Sequence, residues 1–86
     1  MTYFTDSNIY TSALYKAMQG RGTDEDAIAS IFKKITSSDF LIIKDRYEKK
    51  YSKNLVSHLS SELGIFDAGT KRRVSAVINP VGFTLY

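Results

Sequence analysis

Apolar residues recur at helical spacing along almost the whole chain, and polar or glycine-containing breaks cut that pattern into five segments. Over residues 6–19, Ile9, Ala13, Leu14, Ala17 and Met18 form one stripe, with Thr5, Asp6 or Ser7 available to cap its start and Gly20 to end it. The second segment is the clearest: Thr23 predicts an N-cap, Asp24, Glu25 and Asp26 sit where the helix dipole favours negative charge, and Ile28, Ile31, Phe32 and Ile35 follow. Thr23 with Asp26 approximates a capping box. Ser37, Ser38 and Asp39 then open a third helix with Phe40, Ile43, Tyr47 and Tyr51 on its stripe and Leu41 and Ile42 widening its apolar face. A fourth, shorter helix is predicted from Ser52 or Lys53 to Leu63, with Leu55, Leu59 and Leu63 on one side and Gly64 after it. The fifth begins near Asp67, carries Val74, Val77 and Ile78, and stops before Pro80, which biases Asn79 away from helical angles. No run shows the period of two that a strand requires. The expectation is an all-α domain of five short helices.

Composition narrows this only where it excludes. The 86 residues leave room for one domain, 1–86, with no linker or low-complexity stretch. The absence of cysteine removes disulfides, thiolate metal sites and thiol catalysis. A net charge of +3 is too mild for a nucleic-acid signature, and no apolar run approaches the ~20 residues that span a bilayer. The start of the chain lacks the pattern of a signal peptide, so the expectation is a soluble protein, cytoplasmic when made. Both ends are unusual: residues 1–4 and 81–86 are apolar and aromatic yet fall outside the helical pattern, which points to packing back onto the domain or docking onto something else.

The chemistry-bearing stretch is Met18-Gln19-Gly20-Arg21-Gly22-Thr23-Asp24-Glu25-Asp26. Two glycines give the backbone freedom to aim carbonyls at one point, as a hard cation needs, and equally to serve as a plain turn between two capped helices. His58 is the single histidine, so a surface or half-buried imidazole is expected rather than a metal ligand, and no Ser-His-Asp arrangement suggests itself. No enzyme activity is expected. Lys44, Arg46, Lys49, Lys50 and Lys53, with Lys71, Arg72 and Arg73, are expected on solvated helix faces, and Tyr10, Tyr15, Tyr47 and Tyr51 as core or interface fillers whose hydroxyls reach an edge.

The five helices, the block from Ala17 to Ile28, Tyr47 and Tyr51, and Leu59-Ser60-Ser61-Glu62-Leu63 together resemble one annexin repeat, over a core of about residues 8–80. Glu62 lies 40 residues after Gly22, where an annexin places a calcium-binding carboxylate. The resemblance implies calcium held by the carbonyls of Met18, Gly20 and Gly22 and by the carboxylate of Glu62, with Thr23 and Glu25 as accessory ligands. Arg21, at the tip of the loop, is expected to add a charged contact to the phosphate of an acidic phospholipid. Three features depart from the family: a single repeat instead of four or more, Gln19 where a basic residue is usual, and a longer connection over residues 64–69. Lone repeats are more similar to those of bacterial and bacteriophage proteins.

Two functions follow. The first is a non-catalytic structural or assembly module that docks into a larger complex, a bacteriophage virion for example. Its apolar face and tails would bind a protein partner or a second copy through Tyr3, Phe4, Phe83, Leu85 and Tyr86. The alternative is calcium-dependent binding of acidic phospholipid membranes through residues 18–23 and Glu62. The apolar ends favour the first.

Overall fold

In the computed structural model the backbone is described for residues 3–19, 22–62 and 64–85, and side chains from Ser7 onward within those ranges. Five α-helices, α1 Tyr3–Met18, α2 Glu25–Lys34, α3 Ser37–Tyr51, α4 Leu55–Ser61 and α5 Ala68–Ile78, are followed by a 3₁₀ turn, Asn79–Val81. No strand occurs among the described residues, in keeping with the helical spacing of the apolar positions. α1 packs chiefly on α3 and α2, and α2 on α5. Phe32, Phe40, Tyr47, Leu14, Ile28, Leu55, Leu59, Val74 and Ile78 meet in one core and are almost entirely shielded from solvent.

The first helix starts three residues before the expected Asp6, so Tyr3 and Phe4 are helical and not part of an irregular tail; their side chains lie outside the described residues. Its buried stripe is Ser7, Thr11, Leu14 and Met18, at the i, i+4, i+7 and i+11 spacing of one helix face. Ile9, expected on that stripe, is 56% exposed, because five residues to Leu14 turn the helix well past a single face. Two polar positions on the buried stripe disguise it; Thr11 satisfies its hydroxyl on the Ser7 carbonyl at 2.6 Å. On α3 the same reasoning displaces Leu41 and Ile42, which are exposed instead of widening the core face, since Phe40, Ile43 and Tyr47 already define the buried side.

Three caps differ from those expected. Asp24, not Thr23, caps α2, its carboxylate accepting from the Ala27 N–H at 3.1 Å. Thr36 caps α3 one residue before the expected serines, in a reciprocal capping box with Asp39. Ser52 takes the left-handed conformation that ends α3, and Asn54 caps α4, so that helix begins at Leu55 instead of residue 52 or 53. Asp67 caps α5 as anticipated.

Two observations give the domain an axis. Arg46 donates to Asn8, Lys50 donates to Ser12, and Tyr51 stacks on Tyr15 with ring centroids 3.8 Å apart, so α1 and α3 run in the same direction. Ser37 donates to the Val77 carbonyl at 2.6 Å, joining the start of α3 to the end of α5. The α1–α2 and α4–α5 loops therefore share one end of the molecule, and the α2–α3 turn and the chain's last turn share the other.

At that second end Gly82 adopts a φ of 94°, a left-handed angle that glycine takes without steric cost, and the chain reverses. The Phe83 N–H donates to the Ile78 carbonyl, and the Phe83 ring meets Phe40 edge-on at 6.0 Å with the Lys44 ammonium 5.0 Å from its centroid. Phe83 and Leu85 are half-buried against the domain's own core. Tyr86 lies outside the described residues.

Candidate functional site

The end of α1 and the start of α2 are tied directly by the Asp24 N–H donating to the Ala17 carbonyl at 2.8 Å. That bond brings together the two residues that flank the segment 18–23. Met18 is buried at its base, whereas Gly22 is exposed, with open space where a Cβ would stand. Gly20 and Arg21, the other expected cation ligand and the expected phosphate contact, lie outside the described residues.

Glu62 caps the end of α4 and reaches the same loop. The Thr23 hydroxyl donates to Glu62 Oε1, joining residues 39 apart in sequence. This explains why Thr23 does not cap α2: its hydroxyl is committed to the carboxylate, and the neighbouring Asp24 takes the capping role. Glu62 Oε2 lies 3.5 Å from the Ser61 hydroxyl. Of the expected set, the structure joins Thr23 directly to Glu62.

Glu25 is engaged otherwise. Its carboxylate accepts the Asp67 N–H at 2.5 Å, and its own N–H donates to the Thr23 carbonyl at 3.1 Å. Both accessory ligands are therefore occupied within the protein, and Glu25 fastens the α1–α2 loop to the start of α5. The Asp67 carboxyl is held below its usual range by the Thr70 backbone N–H, then by the Thr70 hydroxyl.

Among the described residues no three histidine, aspartate or glutamate side chains converge. A cation at this loop would therefore rest on backbone carbonyls with the Glu62 carboxylate, a donor set of hard oxygens suited to calcium and unsuited to softer metals.

Behind the loop stands His58, one helical turn before Glu62. It is half-buried; its Nδ1 lies 2.5 Å from the Tyr47 hydroxyl, and its ring also hydrogen-bonds the Met18 carbonyl. A neutral imidazole meets both demands, with Nδ1 accepting from tyrosine and the other nitrogen donating to the carbonyl. Burial and then Lys53 lower the His58 pKa, and the charge of Glu62 with the Met18 contact partly opposes them. The Tyr47 hydroxyl is pushed well above its usual range by burial, then by Tyr15, Tyr51 and Glu62. One cue to this support is present in the chain itself, the i, i+4 spacing of His58 and Glu62 on a single helix face.

A lowered histidine pKa makes the folded state prefer the neutral ring. Its stabilising effect is complete above the unfolded value near 6.5 and is lost as pH falls through the folded value. Thermal midpoints of the wild type should therefore drop between about pH 7.5 and pH 5.5, and those of His58→Gln should drop less. Parallel curves would show that burial of this ring carries no linkage.

The annexin family model matches residues 11–64, from the third turn of α1 to the loop after Glu62. The chain is 43% identical over 58 residues to Annexin A13 of Mus musculus, which is 67% of this chain and 18% of that protein. It is 42% identical over 57 residues to Annexin A13 of Schistosoma japonicum, covering 66% and 16%. The chain thus spans less than a fifth of the length of these relatives. No solved structure matches it. With the loop, the Glu62 register and five helices all inside or adjoining the matched span, the chain belongs to the annexin family.

Proposed function

We propose that this repeat binds calcium at residues 18–23 with Glu62, and through the cation the phosphate of an acidic phospholipid surface. The observation that carries this is the Thr23–Glu62 hydrogen bond, which holds a carboxylate against the glycine loop although 39 residues separate them. Carbonyls of Met18, Gly20 and Gly22 with a bidentate Glu62 supply about five oxygens, leaving roughly two positions for water or a lipid phosphate in the usual calcium shell. Arg21, beside those carbonyls in the chain, is the residue to pair with that phosphate. No helix among the described residues is long and apolar enough to cross a membrane, so the contact would be peripheral. The role is that of a binding module without catalysis.

The assembly role drawn from the apolar ends has less behind it. Phe83 and Leu85 are half-buried against the domain itself, and Tyr3 and Phe4 belong to α1. A virion role finds no support in the two animal relatives, whose names speak only of annexin.

Calcium titrated into the protein in a calorimeter should release or absorb heat with a dissociation constant on the order of 10⁻⁴–10⁻³ M, the range of weak modules. Sedimentation with phosphatidylserine vesicles should then require calcium. Absence of any heat up to millimolar calcium would sink the proposal.

A further inference from the structure

The exposed apolar residue on the α4–α5 loop, Ile65, lies beside the candidate cation site. The Ile65 N–H donates to the Glu62 carbonyl at 3.0 Å, so Ile65 follows the carboxylate-bearing residue by one tight turn. Two residues later the Asp67 N–H is held by Glu25, which fixes this segment alongside the α1–α2 loop. Phe66 is buried between them and pins the loop to the core. Ile65 is 51% exposed, and nothing stands within 4 Å of where a Cβ would be at Gly64. The other exposed large apolar side chains among the described residues, Ile9, Leu41 and Ile42, do not lie on this loop; Leu41 and Ile42 are at the start of α3, the end that Ser37 joins to the last turn of α5.

Scattered exposed aliphatic residues are ordinary on a protein surface. The position of Ile65 sets it apart: a cation bridging Glu62 to a lipid phosphate would bring this side chain against the same bilayer. We infer that Ile65 inserts into the apolar boundary of an anionic phospholipid bilayer and serves as the hydrophobic anchor beside the calcium bridge. This rests on the calcium-dependent membrane binding proposed above. Weak electrostatic bridging through one site gains from a side chain that loses water on contact, and burial of the exposed part of an isoleucine corresponds to about a tenfold gain in affinity.

The chain contains no tryptophan, so an introduced one reports from a single place. Ile65→Trp and, as control, Leu41→Trp are mixed with phosphatidylserine–phosphatidylcholine vesicles, with calcium or with chelator. The expected result is a blue shift and quenching by brominated acyl chains for Ile65→Trp in calcium only, with neither for Leu41→Trp. Ile65→Ser should bind vesicles about tenfold more weakly with unchanged calcium heat and unchanged helicity. If the wild type sediments with calcium but Ile65→Trp stays unshifted and unquenched, the anchor is overturned while the calcium bridge stands. Equal shifts in both tryptophan variants would also overturn it. If the wild type does not sediment at all, the bridge fails and the anchor with it.

Discussion

Tyr47→Ala will destabilise the domain by about 3–5 kcal/mol, enough to leave much of it unfolded at body temperature, because truncating a large buried aromatic removes transfer free energy and leaves a cavity. Tyr47 is wholly buried and lies edge-on to Tyr15 at 6.2 Å, to Tyr51 at 5.1 Å and to His58 at 6.0 Å. From its place on α3 it touches both α1, at Tyr15, and α4, at His58. A domain of this size commands a stability near the low end of the usual ~5–15 kcal/mol, so the loss is a large fraction of the whole. Tyr47→Phe keeps the ring and removes the bond to His58, so it should cost only about 1 kcal/mol. Urea unfolding followed by far-ultraviolet circular dichroism separates the two. Equal losses for both variants would place the energy in the hydroxyl and contradict the packing account.

Glu62→Gln should weaken calcium binding by more than about 100-fold, because partners one shell beyond a metal's ligands already cost roughly 10–100-fold when removed. The substitution preserves size and leaves an amide oxygen to accept from Thr23, so the fold without calcium should be almost unaffected. Calorimetry on the variant should show no saturable heat, vesicle sedimentation in calcium should disappear, and the urea midpoint should move little. Calcium heat retained by this variant would remove Glu62 from the ligand set. A collapse of stability would instead assign the residue a purely structural part.

Helix number, order and most core positions can be read from the chain, since the stripes of α2, α3 and α5 are strongly apolar and each break carries a capping residue. α1 is legible only in part. Its buried face is carried at Ser7 and Thr11 by hydroxyls, which a hydrophobic pattern does not register, and the exposed Ile9 stands in their place. Thr23 misleads for a related reason. Local sequence offers it as a cap, and only the tertiary contact with Glu62 decides that its hydroxyl points across to α4. The register of Glu62 relative to Gly22 makes the site recognisable, but its support by His58 and Tyr47 depends on how α3 and α4 cross. Spacing along one helix does not contain that information.

The Thr23–Glu62 bond also bears on what a ligand at this loop would have to order. A carboxylate offers about four lone-pair sites, so Oε1 can hold the Thr23 hydroxyl while the group keeps room for a second partner. The side chain is already drawn toward the start of α2 by that hydroxyl, so a cation of the kind proposed above would meet a carboxylate whose rotamer freedom is largely spent. A single threonine would thereby lower the entropic cost of binding without touching the ion.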